Sequence, residues 1–254
     1  MAQERVQKIL SQAGITSRRQ AEQLILQGAI TVNGNVIALG AHAEWGKDAI
    51  KVNGKLLQYD EERLYLLFYK PKNVLSVFTD PYQRLTLKDY LRSLKKHLYP
   101  IGRLDFTSEG LLFLTNDGDF GEKLQKKEDL LKRYTVKIKG HPEEEKLARL
   151  YRPSSYDDLK MKKLRPHSVE ILEELASKSL IEVTLLGPQA FDLRLYFQNR
   201  GFLVEKITRT AIGPFTLKDL QPGSYRSIKR SQAMALIRPS QEILKKEAPA
   251  HEKT

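Results

Sequence analysis

Ile101-Gly102-Arg103-Leu104-Asp105-Phe106-Thr107-Ser108-Glu109-Gly110-Leu111-Leu112-Phe113-Leu114-Thr115-Asn116-Asp117-Gly118 is the stretch from which the rest of the chain is read. Leu111-Leu112-Phe113-Leu114 is a short run of large apolar residues, the pattern of a buried strand. Asn116-Asp117-Gly118 closes that run with turn residues. Gly102 and Gly110 bracket an acidic residue, Asp105, and permit tight backbone geometry around it. Asp105 is therefore expected in a loop held by a rigid strand, a place where reactive groups are carried. Spacing alone favours a solvated loop aspartate.

Composition bounds what such a loop can serve. The chain has 254 residues, enough for one large domain and a small one, and 41% of them are hydrophobic. It contains no cysteine, so neither a disulfide nor a thiolate metal site is expected, and its five histidines show no ligand spacing. No apolar run reaches membrane-spanning length, and Met1-Ala2-Gln3-Glu4-Arg5 does not open a signal peptide. The expectation is a soluble, cytoplasmic protein with no membrane partner. Lys and Arg number 43 against 31 acidic residues, a net charge of +12. That excess points to a polyanionic partner, most simply nucleic acid.

In the first sixty residues, Val6, Ile9, Leu10 and Ala13 recur at helical spacing and Gly14 ends the helix. Ser17-Arg18-Arg19-Gln20 has the form of a capping box opening a second helix. Ile30 and Val32 alternate, Asn33-Gly34 turns the chain, and Asn53-Gly54 repeats the strand-and-turn pattern. Arg18 and Arg19 lie in the first turn of a helix, where backbone N–H groups and the positive helix end add to their charge and favour phosphate.

Further on, residues 64–69 read as an apolar strand ending at Lys70-Pro71-Lys72, and Val74-Leu75-Ser76-Val77 reads as its resumption. Asp80-Pro81-Tyr82-Gln83-Arg84 is a turn before a helix expected at 88–94, and its Tyr and Arg suit unpaired RNA. Lys95-Lys96-His97 adds charge. Residues 122–131 are helical in composition. Tyr134, Val136 and Ile138 alternate with polar residues along a strand. Residues 141–149 read as helix, 151–158 as loop, 168–172 and 181–186 as strands. Strands with few helices between them indicate an α+β fold rather than a βαβ repeat. There is no Gly-rich phosphate loop or dinucleotide fingerprint.

Two resemblances add to this reading. Arg5-Val6-Gln7-Lys8-Ile9-Leu10, Ser17-Arg18-Arg19-Gln20-Ala21-Glu22 and Thr31-Val32-Asn33-Gly34 resemble the S4 RNA-binding domain over about residues 4–57. The stretch from Gly102 to Gly118 resembles the G-R-L-D…T-E-G-L-L…L-T-N-D-G signature of bacterial RNA pseudouridine synthases that modify single ribosomal RNA uridines. Further matches are the Lys70-Pro71-Lys72 strand end, Lys132-Arg133-Tyr134, and the closing Arg209-Thr210-Ala211-Ile212-Gly213-Pro214. The resemblance implies an S4 domain at 1–60 and a mixed, largely antiparallel-sheet catalytic domain at 61–238; residues 239–254, charged and aperiodic, are expected to be disordered. It implies ribosomal RNA as partner, a monomer, and neither cofactor nor metal. It makes Asp105 the catalytic carboxylate, sets Tyr134 against the target base, and gives Glu109 no chemical role. Arg5, Arg18, Arg19, Lys70, Arg84, Arg103 and Lys132 are the candidate RNA contacts.

One motif departs from the family. Where the family reads E-G-R-N-R-Q-I-R-R-M, this chain has Gly187-Pro188-Gln189-Ala190-Phe191-Asp192-Leu193-Arg194-Leu195-Tyr196. With one residue inserted, Arg194 aligns with the arginine that pairs with the catalytic carboxylate; Arg200 is the alternative. The departure motivates a rival reading, a non-catalytic RNA-binding ribosome-assembly factor that keeps the fold. A nucleoside hydrolase is a remoter rival, since no second acid is paired with Asp105.

Overall fold

The computed structural model describes residues 3–58, 62–94, 96–151, 166–188 and 192–238. The chain forms two compact units. The first comprises Met1–Leu64, Arg92–Tyr99 and Thr115–Gly118; the second comprises Tyr65–Leu91, Pro100–Leu114 and Asp119–Thr254.

In the first unit, β1 (Glu4–Arg5) leads directly into α1 (Val6–Gln12), followed by α2 (Arg18–Leu26). Val6, Ile9 and Leu10 are fully buried, as their helical spacing requires. The Ser17 side chain accepts from the Gln20 N–H while the Gln20 side chain accepts from the Ser17 N–H, completing the expected capping box. β2 (Ile30–Val32) and β3 (Asn35–Val36) join through Asn33-Gly34, whose φ angles are 52° and 87°. Two successive left-handed residues make the type I′ turn that matches strand twist, which is why Asn-Gly stands there. β4 (His42–Ala43) pairs with β1, and β5 (Ile50–Val52) and β6 (Lys55–Leu56) complete a sheet of order β3-β2-β5-β6. The Asn116 side chain accepts from the Leu64 N–H and donates to the Glu62 carbonyl, both at 2.8 Å, within the same unit.

The second unit contains β7 (Tyr65–Lys70), α3 (Leu87–Tyr90), β8 (Tyr99–Ile101), β9 (Glu109–Thr115), α4 (Gly118–Lys126), β10 (Leu131–Lys139), α5 (Glu144–Arg149), β11 (Ser168–Leu175), β12 (Lys178–Leu186), α6 (Leu193–Gln198), β13 (Val204–Ile212), β14 (Phe215–Thr216), β15 (Tyr225–Ser227) and α7 (Arg230–Leu236). Its sheet runs β11-β12-β10-β13-β9-β7-β15, with β14 on β13 and β8 on β9. β11–β12, β12–β10, β10–β13 and β7–β15 are antiparallel, while β13–β9 is parallel. All seven residues of β9 are buried, as its unbroken apolar run predicts for an interior strand. Tyr134, Val136 and Ile138 alternate inward along β10 and pack with Leu193, Tyr196 and Phe197 of α6.

Three local expectations are corrected. Val74-Leu75-Ser76-Val77 is no strand but an irregular segment with one bridge, Leu75 to Thr86. The helix expected at 88–94 is the single turn α3, because Leu91 has φ −117° and ψ 18° and leaves helical geometry. The charged helix begins earlier than 122, at Gly118, because Phe120 and Leu124 supply its buried stripe; the Phe120 and Phe113 ring centres are 5.5 Å apart. The expected tail at 239–254, and all of the 151–158 loop except Tyr151, lie outside the described residues.

Candidate active site

The residues around Asp105 lie in the second unit. The Leu104 N–H donates to Ser76 Oγ at 3.0 Å, and the Ser76 hydroxyl donates to the Leu104 carbonyl at 2.7 Å. On the other side of Asp105, the Asn73 N–H donates to the Phe106 carbonyl at 2.7 Å. The backbone is thus clamped on both flanks of the carboxylate. The clamp is itself folded around Lys70, whose ammonium donates to the carbonyls of Val74 at 2.7 Å and Pro71 at 3.0 Å. Lys70 has no accessible surface, and burial pushes its pKa down to about 8, with Arg209 adding to the effect and Asp105 and Glu109 opposing it.

Asp105 remains open to solvent, and its side chain forms no hydrogen bond or ion pair among the described residues. Its pKa is nonetheless raised, first by loss of hydration to the surrounding protein and then by the Asp192 carboxylate. Lys70, Arg194 and Arg103 pull it back. The site therefore holds a carboxylate whose pKa is raised despite three nearby cations, the perturbed kind of group found at reactive positions.

Tyr134 is buried in the same apolar cluster as Leu104, the neighbour of Asp105. α6 reaches this cluster through Leu193, Tyr196 and Phe197, and is capped by Asp192, whose carboxylate accepts from the Leu195 N–H at 3.0 Å. That packing brings the Arg194 charge to bear on Asp105. The two make no ion pair within 4 Å: Arg194 Nη1 donates to the Val204 carbonyl at 2.6 Å, and its buried Nε has no hydrogen-bond partner. Arg200 donates instead to the Arg149 carbonyl at 3.0 Å and stacks on Tyr196 at 3.8 Å. Arg194 acts on Asp105 through charge, and Tyr134 shares the apolar cluster of Leu104; Gln189-Ala190-Phe191 of the altered motif lie outside the described residues.

Of the candidate RNA contacts, Arg5, Arg18, Arg19, Arg84 and Arg103 are exposed. Arg84 forms a forked pair with Asp80, at 2.8 and 3.1 Å, beside Tyr82. One expectation is overturned. Lys70 cannot reach RNA because its ammonium is buried on two carbonyls. Lys132 is partly buried and donates to the Gly187 carbonyl at 3.0 Å, and burial lowers its pKa to about 8. Lys70 looks like a loop cation in the sequence, since nothing local shows the carbonyls that fold onto it. Lys95 lies outside the described residues, and Lys96 pairs with Glu62 at 2.9 Å in the first unit.

Three residues were not foreseen. Ser76 provides the clamp just described. Glu109 is not a loop neighbour of Asp105: it begins β9, is buried, and accepts from Tyr69 Oη at 2.6 Å and pairs with Lys206 at 2.9 Å. Arg209, buried in β13, donates through Nε to the Leu111 carbonyl at 2.6 Å.

Comparisons with known proteins place this arrangement. The RNA pseudouridylate synthase family pattern matches residues 64–198, and the S4 domain pattern matches residues 4–40. The ribosomal large subunit pseudouridine synthase B of Bacillus subtilis is 35% identical over 238 residues, covering 91% of this chain and 97% of that protein. An uncharacterised RNA pseudouridine synthase of Aquifex aeolicus is 31% identical over 241 residues, covering 94% and 95%. A solved pseudouridylate synthase shares the fold with a TM-score of 0.62 at 24% identity, across 91% of this chain and 99% of that one. The chain that clamps Asp105 at the head of β9 thus belongs to the RNA pseudouridylate synthase family, as an RNA-modifying isomerase with an S4 domain at its N-terminus.

Proposed function

We propose that this enzyme converts individual uridines of ribosomal RNA to pseudouridine, with Asp105 as the reacting carboxylate. The observation that carries the reading is the family signature around Asp105, combined with the clamp on Leu104 and Phe106 that holds this carboxylate in place. The ribosomal substrate is supported by the activity named for the B. subtilis relative and by the net charge of +12.

A uridine in structured RNA must leave its stack before a side chain reaches it. The N1–C1′ bond then breaks, the base turns within the site, and C5 joins C1′. C5 loses a proton and N1 gains one, so the reaction is redox-neutral and needs no electron carrier. Asp105 acts ionised, either attacking the nucleoside or assisting glycosidic cleavage. Arg194 supplies the compensating charge when RNA closes the site, since a guanidinium favours the carboxylate form. Tyr134 lies against the base, and Arg103 takes the space the base has left. Confinement of the detached base contributes through proximity.

Arg5, Arg18 and Arg19 within residues 1–60, together with Arg84 and Tyr82 of the catalytic domain at 61–238, hold the RNA backbone and unpaired bases. One chain supplies every proposed group, so a monomer suffices. No helix among the described residues is long and apolar enough to cross a membrane, consistent with action in the cytoplasm.

The test is to map pseudouridine at single-nucleotide resolution in ribosomal RNA treated with the purified protein. New pseudouridine at a defined position is expected. RNA bound tightly but left unmodified would favour the assembly-factor reading, and release of free uracil would favour a hydrolase.

A further inference from the structure

We infer that Arg209 is a positioning residue for the isomerisation, fixing the Tyr134 hydroxyl relative to β9, the strand that follows the Asp105 loop. The inference rests on the reading above that Tyr134 works in the site.

β13 lies between the two strands concerned. Arg209 stands opposite Tyr134 of β10 on one side and opposite Gly110 of β9 on the other. The side chain repeats the bridge that the backbone makes. Nε donates to the Leu111 carbonyl at 2.6 Å, and Nη1 points to Tyr134 Oη at 3.4 Å. The guanidinium carbon is 5.9 Å from the centre of the Tyr134 ring. The junction is tight: a Cβ at position 110 would come within 2.5 Å of the Arg209 backbone nitrogen, and Gly110 has φ 117°. Glycine is required there on both counts. One arginine therefore ties the base-facing tyrosine to the strand that follows the Asp105 loop.

A purely structural staple would not be built this way. Arg209 is only 3% exposed, makes no ion pair among the described residues, and leaves Nη2 buried without a hydrogen-bond partner. Its neighbours add to the burden, since its charge helps to depress the pKa values of both Lys70 and Lys132. A buried, incompletely paired cation is unfavourable, and an apolar residue of similar volume would fill such a place at lower energy. What the guanidinium supplies and methionine cannot is direction. By donating to the phenol oxygen it makes that oxygen an acceptor on one side and turns the phenol's own proton away from Arg209. At 3.4 Å the contact is at the long end of hydrogen-bond range.

The experiment measures single-turnover modification of a saturating ribosomal RNA fragment, RNA affinity, and melting temperature. The proteins are wild type, Arg209→Lys, Arg209→Gln, Tyr134→Phe, Tyr134→Ala and the Arg209→Lys/Tyr134→Phe double variant. Arg209→Lys keeps the charge and carries the test should Arg209→Gln fail to fold. Arg209→Lys is expected to slow modification by ~100-fold, the scale of an ångström-sized misplacement, with affinity changed by less than about twofold. Tyr134→Phe should also be slow, and the double variant no slower than the slower single variant, because the two side chains act as one unit. Rate losses that multiply in the double variant would overturn the inference and leave Arg209 a sheet staple. So would a wild-type rate in Arg209→Lys. A wild-type rate in both Tyr134→Phe and Tyr134→Ala would instead remove the role of Tyr134, and this inference with it.

Discussion

The start of α2 and the loop around Asp105 use charged side chains in opposite ways. At α2, the capping box between Ser17 and Gln20 satisfies the helix end from within, and Arg18 and Arg19 stand exposed outside it. At Asp105, the backbone on both flanks is clamped, and the carboxylate between them is left in an environment that raises its pKa. Phosphate docking depends on charge and reach, tolerates mobile side chains, and weakens with salt. Bond-making depends on where a single oxygen lies. On the proposed function, the first region governs how tightly RNA is held, and the second how fast it is changed.

The largest effect is expected at Asp105. Asp105→Asn should reduce modification below detection while leaving RNA affinity unchanged. Its melting temperature at neutral pH should equal or exceed that of the wild type. A carboxyl whose folded pKa is raised binds its proton more tightly in the folded chain. Stability is thus highest below the unfolded pKa and is lost as pH rises through the folded value. Above that, the ionised carboxylate burdens the fold, and asparagine removes the burden. Modification by the wild type should follow the opposite course, rising with pH as Asp105 ionises. A clear drop in melting temperature for Asp105→Asn would break the comparison, because Asp105 would then be structural.

Lys70→Met comes next. Removing the ammonium leaves the Pro71 and Val74 carbonyls without their donor and loosens the clamp, so the rate should fall by ~100-fold. Melting temperature at neutral pH should move little, because relief of a buried charge offsets the lost hydrogen bonds. With a folded pKa of about 8, Lys70 gives up its proton more readily in the folded chain than in the unfolded one. Wild-type stability should therefore gain from pH 8 upward, and Lys70→Met should show a smaller gain. Ser76→Ala removes one hydroxyl from the clamp and should slow modification by ~10-fold, at a stability cost of ~1 kcal/mol. The smallest effect belongs to the other region. The Arg18→Ala/Arg19→Ala protein should bind RNA a few-fold more weakly, with a salt slope shallower by up to ~2, yet modify saturating RNA at the wild-type rate. A loss of rate at saturation in that variant would merge the two regions into one.

How much of this was legible depended on how far apart the interacting residues lie. β9 could be read from four consecutive apolar residues, the capping box from a spacing of three, and the inward face of β10 from strict alternation. The clamp could not: Ser76 meets Leu104 across 28 positions. Arg209 reaches Tyr134 across 75 positions and Leu111 across 98. Such pairings follow from sheet order and leave no local period. Lys70 is illegible for a related reason. A lysine beside proline looks solvated until the carbonyls that take its ammonium are known. Glu109 looked like a neighbour of Asp105, but β9 starts between them, so a Glu109→Gln variant perturbs the Tyr69 and Lys206 contacts and is no neutral control.

The central claim is that Asp105 works through its position, and Asp105→Glu tests it most directly. Glutamate keeps the charge and moves the carboxylate by one methylene beyond its clamped backbone. The measurement is single-turnover pseudouridine formation at saturating ribosomal RNA, with affinity measured in parallel. The account predicts wild-type affinity and a rate lower by at least ~1,000-fold, since the oxygen no longer meets the nucleoside in a reactive geometry. Modification by Asp105→Glu within about tenfold of the wild-type rate would contradict it, because charge near the site, rather than its placement, would then be enough.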